Sequence, residues 1–203
     1  TTLLRIIAGL ESQSAGRVLI GGHDVSDLPP RQRGLAMVFQ NYAVFPHMTV
    51  LENVRVALQR KLGTSFHFWK SEKSLDKLNG RAMELLESVD LGSFADTQTV
   101  DLPYGRKRAL EIATTLALEP EMMLLDEPTQ GMGHEDIGRV TALIKRVSAG
   151  RTILMVEHNL SVVANLCDTI TVLQRGAVLA EGTYDEVSNN PQVLEAYVGT
   201  AHV

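Results

Sequence analysis

The sequence predicts an α/β fold, a mostly parallel sheet with an inserted helical subdomain. Short apolar runs of strand length alternate with stretches of helical periodicity, which is the pattern of such folds. The runs Leu35–Phe39, Met122–Leu125 and Ile153–Val156 are apolar without interruption, as strands covered on both faces should be. Between the first two runs the pattern changes to helices. We therefore place the helical subdomain at residues 41–118 and the C-terminal part of the core at residues 119–203.

Local patterns predict the individual elements before and within the helical subdomain. A short helix is expected at Thr1–Leu10, and a strand at Arg17–Ile20 that turns at Gly21-Gly22. Thr49 stands three residues before Glu52, the order of a capping box that opens a helix. The subdomain's other expected elements are a loop or irregular insertion at Lys61–Asn79 and helices at Arg81–Val89 and Arg106–Leu118.

The C-terminal elements continue the alternation. We expect a helix at Asp136–Val147 and a further strand of the sheet at Ile170–Leu173. A tight hairpin is expected at Arg175-Gly176, between Ile170–Gln174 and Ala177–Ala180. A closing helix is expected at Asp185–Val198. Pro191 must lie near its start or break it, because proline has no amide hydrogen to donate.

Composition excludes several classes of protein. With 203 residues, 44% of them hydrophobic, the chain can bury a core without a disulfide or metal staple. The single cysteine, Cys167, excludes an intrachain disulfide and a cysteine-based zinc site. The apolar runs are far shorter than the roughly 20 residues that span a bilayer. The net charge of −5 argues against a nucleic-acid partner, so we expect none.

The strongest chemical feature is a pair of carboxylates at a predicted strand end. Asp126 and Glu127 directly follow Met122–Leu125. In α/β proteins, ligands bind at the carboxyl ends of the strands. One carboxylate there can hold Mg²⁺ while the other polarises an attacking water. The alternative is a solvated Asp-Glu pair.

Three further polar features are individually weak. His158 lies just beyond a predicted strand, where it can contact a γ-phosphate or be an ordinary surface or core histidine. Gln40 follows another strand and offers an amide oxygen to Mg²⁺ or water, or is a plain loop residue. Gly105 opens a helix, and the start of a helix can bind an anion. Its basic neighbours Arg106–Arg108 are alternatively a solvated face.

The order of these four features resembles the nucleotide-binding subunit of ABC transporters over essentially the whole chain. Gln40 is similar to the Q-loop glutamine, and His158 to the switch histidine. Leu102–Arg106 resembles the signature motif and Leu124–Glu127 the Walker B motif. Thr1–Leu10 is similar to the helix after the phosphate-binding loop. The resemblance implies a P-loop NTPase fold of the ABC type, with ATP and Mg²⁺ as cofactors and residues 119–203 in the ATPase core.

The glycines and lysine of the family's phosphate-binding loop, and the first strands of the fold, do not precede Thr1 in this sequence. The resemblance therefore predicts an N-terminal truncation within the Walker A motif. It also predicts ATP hydrolysis by the intact protein and none by the 203-residue chain alone.

The resemblance assigns roles to particular residues. It implies that Thr1, Gln40 and Asp126 bind Mg²⁺, that Glu127 is the general base and that His158 contacts the γ-phosphate. The other nucleotide-binding residues that it implies are Thr2 and Tyr104, together with Gly105 and Arg106, which would serve the ATP of a second subunit in a head-to-tail dimer.

Three positions depart from the family pattern. Pro103 replaces the signature serine, whose hydroxyl would bond the γ-phosphate. Gly133 stands where the family's D-loop carries Asp or Asn, and Thr114-Thr115 replaces the usual Arg-Ala. Reduced activity of the intact protein is therefore left open.

Finer detail predicts the solute. Leu102–Gly105, Gly131-Met132 and Asn190–Val203 resemble importers of branched-chain amino acids and related amides, whereas Arg31–Val54 resembles sugar, polyamine or iron importers. We weight the longer C-terminal part and predict import of a small polar solute, branched-chain amino acids or related amides. The alternatives are a sugar, polyamine or iron importer, a soluble ABC ATPase, and a non-enzymatic binding module.

The resemblance also implies partners and a location. The partners are transmembrane permease subunits, a second ATPase subunit and, indirectly, a periplasmic or extracellular solute-binding protein. The surface around Gln40–Met48 and the helical subdomain should receive a helix of the permease. The expected location is peripheral, at the cytoplasmic face of the inner membrane.

Overall fold

The computed structural model describes residues 2–40, 43–61 and 72–198. The chain divides into two compact units, Thr1–Val156 and Glu157–Val203. In the described part of the chain, no helix is long and apolar enough to cross a membrane. Thr1 and most of the predicted insertion's first half lie outside the described residues.

The first unit contains a parallel sheet and the helices that cover it. Its elements are α1 (Thr2–Ala8), β1 (Leu19–Ile20), β2 (His23–Asp24), β3 (Leu35–Val38), α2 (Val50–Lys61), α3 (Glu72–Ser88), α4 (Tyr104–Leu116), β4 (Met122–Asp126), α5 (His134–Val147) and β5 (Thr152–Val156).

The sheet consists of β3, β4 and β5 in that order, all parallel. Val38 pairs with Leu125, and Asp126 pairs with Val156, so the carboxyl ends of all three strands lie at one edge. The predicted α/β fold is confirmed. The predicted strand at Arg17–Ile20 is shorter than expected, because only Leu19–Ile20 pairs, in an antiparallel hairpin with β2.

Helix α1 packs on one face of this sheet. Leu4 and Ala8 form a buried cluster with Leu124, and alternate residues of all three strands pack against it. The end of α1 is held by Arg33, whose Nη1 donates to the carbonyl oxygens of Ile6 and Ile7, both at 2.9 Å.

Helices α2, α3 and α4 lie between β3 and β4 in the sequence, and they pack on one another. The predicted capping box opens α2: the amide of Glu52 donates to Thr49 Oγ1 (3.2 Å) and the amide of Thr49 donates to Glu52 Oε2 (2.8 Å). The prediction of a loop through Asn79 is wrong, because α3 already begins at Glu72. Among the side chains of α3 whose burial is described, Ala82, Leu85 and Leu86 are buried, and they follow that stretch.

In its described residues, the second unit contains a short antiparallel strand pair and three short helices. Its elements are α6 (Leu160–Leu166), β6 (Ile170–Gln174), β7 (Ala177–Gly182), α7 (Tyr184–Ser188) and α8 (Pro191–Val198).

Two predictions in this unit need correction. The strand at Ile170–Leu173 pairs antiparallel with β7 in a separate two-stranded sheet, rather than extending the parallel one. The predicted hairpin is present, with Arg175 and Gly176 both at positive φ (51° and 82°). The closing helix is broken: α7 ends at Ser188 and a new helix begins at Pro191, because proline disfavours helix in the residue before it.

Candidate functional site

The carboxylate pair lies where the sequence predicts, at the carboxyl end of the central strand. Asp126 is the last residue of β4 and is 1% exposed. Glu127 follows it in a left-handed backbone conformation (φ 47°), and its amide donates to the carbonyl oxygen of Val156 on β5 (2.9 Å). A non-glycine residue in this conformation is strained. A strained residue persists only where the surrounding structure holds it in place, and such residues are concentrated at functional sites.

Gln40 approaches the same strand end through its side chain. It follows β3, and its Nε2 donates to Oε1 of Gln130, which lies just after Glu127 in the chain (2.5 Å). Because the amide nitrogen makes this bond, the Gln40 oxygen is presented as an acceptor or metal ligand. The loop after β3 and the loop after β4 are thus joined at the edge of the sheet.

A buried ion pair on α4 holds the backbone around Gln40. Arg108 and Glu111 are one turn apart, their side chains are 0% and 2% exposed, and Arg108 Nη1 lies 2.5 Å from Glu111 Oε2. The guanidinium also donates to the carbonyl oxygens of Phe39 (2.6 Å) and Gln40 (3.3 Å). Glu111 Oε1 accepts from the amides of Phe39 (3.1 Å) and Ala43 (3.3 Å).

Burial and bonding act in opposite directions on Glu111. Burial raises the pKa of its carboxyl group, while Arg108 and the amides of Phe39 and Ala43 lower it, and burial is the larger effect. The carboxylate is therefore stabilised only as long as these partners stay in place.

The start of α4 presents the signature-like residues. Tyr104 is 44% exposed, and its hydroxyl would lie 3.6 Å from a Cβ added to Gly131. Gly105 packs so closely on α5 that an added Cβ would lie 2.7 Å from Asp136 Oδ1. The guanidinium of Arg106 lies over the ring of Phe94 (3.9 Å), and its amide donates to the Pro103 carbonyl oxygen (3.1 Å).

His158 belongs to the second unit and is solvent-accessible, with 65% of its side chain exposed. That exposure excludes the alternative of a buried core histidine. The adjacent Glu157 side chain is fully buried, and its Oε2 accepts from the amides of His158 (2.8 Å) and Asn159 (3.2 Å). This carboxylate fixes the backbone that carries the imidazole.

The donor set fits Mg²⁺ better than a transition metal. Asp126 and Gln40 offer carboxylate and amide oxygens, the hard ligands that Mg²⁺ prefers. Within the described ranges, no group of three or more His, Cys, Asp or Glu residues could hold a metal ion. Phosphate and water oxygens would therefore have to complete the coordination, which is usual for Mg²⁺. Thr1, the third predicted ligand, lies outside the described residues, and Thr2 is the exposed first residue of α1.

The sequence analysis missed four residues that support the site: Gln130, Arg108, Glu111 and Glu157. One sequence pattern points to two of them, Arg108 and Glu111, in retrospect. Arg108 and Glu111 have opposite charges at the i,i+3 spacing on an otherwise buried helix face, and charged residues are almost never fully buried unless paired. Gln130 and Glu157 each stand close to a motif residue in the chain, but only the fold shows what they contact.

Comparison with known proteins agrees with the motifs. Residues 1–130 match the ABC transporter family, and residues 177–203 match the family described as branched-chain amino acid ATP-binding cassette transporter. The chain therefore belongs to the ABC transporter family, as an ATPase subunit of the importer type.

Relatives at the sequence level are of two kinds. The high-affinity branched-chain amino acid transport ATP-binding protein BraF of Pseudomonas aeruginosa is 33% identical, over 99% of this chain and 83% of its own length. Its counterpart LivG of Escherichia coli K12 is 34% identical with the same coverage. The Fe(3+) ions import ATP-binding protein FbpC of Brucella melitensis is 36% identical over all of this chain, which spans 56% of that relative's length.

The fold is similar to those of solved ATP-binding cassettes. A crystal structure of an ATP-binding cassette of an ABC transporter in its ADP conformation is 27% identical, with a TM-score of 0.82. The match covers 98% of this chain and 82% of that one. A nucleotide-free cassette gives a TM-score of 0.80 at the same identity.

Proposed function

We propose that the intact protein hydrolyses ATP to drive the import of branched-chain amino acids or related amides. The observation that carries the ATPase proposal is the buried Asp126 followed by a strained Glu127 at the central strand end, with Gln40 bound to the same loop. The match of residues 177–203 to the branched-chain family, together with BraF and LivG, supports the choice of solute.

The residues of the first unit then have separate roles in hydrolysis. Asp126 and the Gln40 oxygen would hold Mg²⁺, with Thr1 as a further ligand. When bound, the ion would offset the negative charge that develops on the phosphate. Glu127 accepts a proton from the attacking water, and its amide bond to Val156 keeps the carboxylate's backbone fixed at the strand end.

The second unit contributes His158, which donates to the γ-phosphate. The Glu157 carboxylate holds the amide of His158, so the imidazole starts from a defined backbone position. Such pre-positioning matters because a donor that is already in place needs no reorganisation as charge develops.

The start of α4 serves the nucleotide of a second subunit in a head-to-tail dimer. Tyr104 and Gly105 open the helix, and Pro103 leaves no hydroxyl for the phosphate. Backbone amides and the helix dipole therefore supply the attraction there. Arg106 is anchored on Phe94, which fixes the charge near this helix start.

The described part of the surface that we assign to the permease, Ala43–Met48, has an exposed aromatic tip. Phe45 is 44% exposed, and its ring meets that of His47 edge-on, with centroids 6.1 Å apart. The buried Asn53 holds this segment, since its Oδ1 accepts from the Phe45 amide (2.7 Å) and its Nδ2 donates to the Phe45 carbonyl oxygen (3.1 Å). A rigid, half-apolar tip is suited to receive a helix of a membrane subunit. The protein would then be peripheral at the cytoplasmic face of the inner membrane.

Iron import is the second candidate, and one observation favours it. FbpC matches all of this chain at 36% identity, slightly above BraF and LivG. The C-terminal match to the branched-chain family is the reason to rank it second.

The experiment that separates the two candidates uses the intact protein assembled with its permease in proteoliposomes. ATP hydrolysis is measured with a branched-chain amino acid-binding protein and leucine, and separately with an Fe³⁺-binding protein and Fe³⁺. We expect stimulation by the first pair alone. Stimulation by the iron pair alone would make this an iron importer, and stimulation by neither would remove both solutes.

A further inference from the structure

The buried pair Arg108–Glu111 is the structural feature that the proposed mechanism leaves without a role. Two oppositely charged side chains are removed from water in the middle of α4, where apolar residues would fill the space at lower cost in desolvation. A stabilising role alone therefore does not explain the presence of the pair. Its contacts indicate what else it does.

The pair makes four bonds to the backbone of the segment that carries Gln40. The guanidinium donates to the carbonyl oxygens of Phe39 and Gln40, and the carboxylate accepts from the amides of Phe39 and Ala43. In these bonds each charged group meets backbone atoms of the opposite partial charge. Four backbone bonds from two rigidly paired side chains therefore fix this segment against α4.

We infer that Arg108 and Glu111 are positioning residues, which hold the backbone of Gln40 in place for Mg²⁺ binding and tie it to the signature helix. The inference rests on the proposed function, because it assumes that Gln40 serves the metal. The same helix begins at Tyr104, which we assign to the partner subunit's nucleotide. A shift of α4 on nucleotide binding at its start would therefore reach Gln40 through this pair.

The charge complementarity also explains why neither partner can be exchanged alone. Removing Glu111 would leave a buried guanidinium without its counter-charge, and removing Arg108 would leave the buried carboxyl group of Glu111 without its cation. Single variants can thus fail by misfolding, which tests nothing about positioning.

The test uses the double variant Arg108→Met/Glu111→Leu in the intact protein, because apolar replacement of a whole buried pair usually preserves folding. The matched control is Ile112→Val, also fully buried on α4, which weakens packing but removes none of the four bonds to the Gln40 segment. Two quantities are measured: amide hydrogen exchange at Phe39 and Ala43 by NMR, and the free Mg²⁺ concentration that gives half-maximal ATP turnover.

For the double variant we expect exchange at Phe39 and Ala43 to be about tenfold faster or more, since bonds to charged groups are lost there. The half-maximal Mg²⁺ concentration should rise by about the same factor, while exchange in β4 stays unchanged. The control should leave both quantities at wild-type values. Wild-type exchange and Mg²⁺ dependence in a folded double variant would overturn the inference.

The two proposals fail in different ways. If the wild-type protein does not hydrolyse ATP, the proposed function fails, and hydrogen exchange still reports whether the pair holds the segment. If the wild type is active and the double variant matches the Ile112→Val control in both measurements, only the positioning role is wrong.

Discussion

At the scale of single residues, the site depends on backbone positions that local sequence does not favour. Glu127 has a left-handed conformation, which costs a non-glycine residue on the order of 1–3 kcal/mol. Its amide bond to Val156 and the following turn, in which the Gln130 amide donates to the Glu127 carbonyl oxygen, offset part of that cost.

His158 gives a prediction that separates a catalytic role from a structural one. Its side chain is largely exposed, so His158→Ala should change the free energy of unfolding by no more than about 0.5 kcal/mol. Loss of a donor to the developing charge should slow ATP turnover about 100-fold or more. Thermal denaturation and steady-state hydrolysis of the intact protein check both. A large drop in melting temperature with unchanged turnover per folded molecule would mean that His158 is structural.

The sequence alone predicted the catalytic candidates but not the residues that hold them in position. Asp126, Glu127, Gln40 and His158 stand at strand ends that apolar runs make visible. The contact of Gln130 joins loops that are 90 residues apart in the chain, and Glu157 turns back onto the two amides that follow it in an irregular stretch. No periodicity encodes such contacts, so they could not be predicted.

At the scale of elements, caps and packing determine where the helices begin and end. The capping box of α2 was predicted because both of its bonds join residues three apart. The start of α3 was not, because Leu75 and Leu78 are the only apolar residues between Glu72 and Asn79, although they continue the helical spacing of Ala82 and Leu85. Packing of Ala82, Leu85 and Leu86 stabilises the C-terminal half of α3, and helix propagation from there is easier than nucleation.

The capping box makes a prediction about pH. The bonds from Thr49 lower the pKa of Glu52, so its ionised form is favoured by folding. Its contribution is present above the ordinary pKa of 4.5 and is lost as the pH falls through the lower value of the folded state. Glu52→Ala should therefore destabilise the protein at pH 7, and the difference from wild type should shrink below pH 4.5.

Thr49→Ala is the companion variant, and it should cost about 1 kcal/mol of unfolding free energy through loss of the cap. Urea denaturation across the pH range measures both variants. A Glu52→Ala deficit that stays constant down to the most acidic condition at which the protein folds would refute the linkage.

Packing of α4 on α5 gives a second prediction at this scale. Gly105→Ala would place a methyl group 2.7 Å from Asp136 Oδ1, so the two helices must move apart or Asp136 must turn away. We expect a loss of about 1–3 kcal/mol, typical of an overpacked contact. Adding Asp136→Ala removes the nearest atoms and should recover part of that loss, as equilibrium unfolding of the four variants of the cycle would show. Additive effects of the two substitutions would mean that they do not meet.

At the scale of the whole molecule, the parallel sheet was predictable and its limits were not. The runs that form β3, β4 and β5 are apolar throughout and therefore recognisable. The strand at Ile170–Gln174 was expected in the same sheet, yet it pairs only with β7, across the predicted turn at Arg175-Gly176. Alternation of strands and helices indicates the class of fold, whereas it does not show that a hairpin stays a separate two-stranded sheet.

The order of motifs along the chain predicts the family more firmly than any single motif. Each strand-end residue has an ordinary alternative explanation, but their joint order matches one family, and residues 1–130 confirm it. The motifs do not select one solute, because the two halves of the sequence resemble different importers, and the relatives divide into branched-chain amino acid and iron importers.

The most direct test of the account compares the intact wild-type protein with Glu127→Gln, measuring Mg-ATP turnover and ATP affinity on the same preparations. The amide keeps the size of the side chain but cannot accept the water's proton. We predict that turnover falls about 10²–10⁴-fold while ATP binds as tightly as to wild type or more tightly. Turnover at the wild-type rate, or loss of ATP binding together with turnover, would contradict the role of Glu127 as the general base.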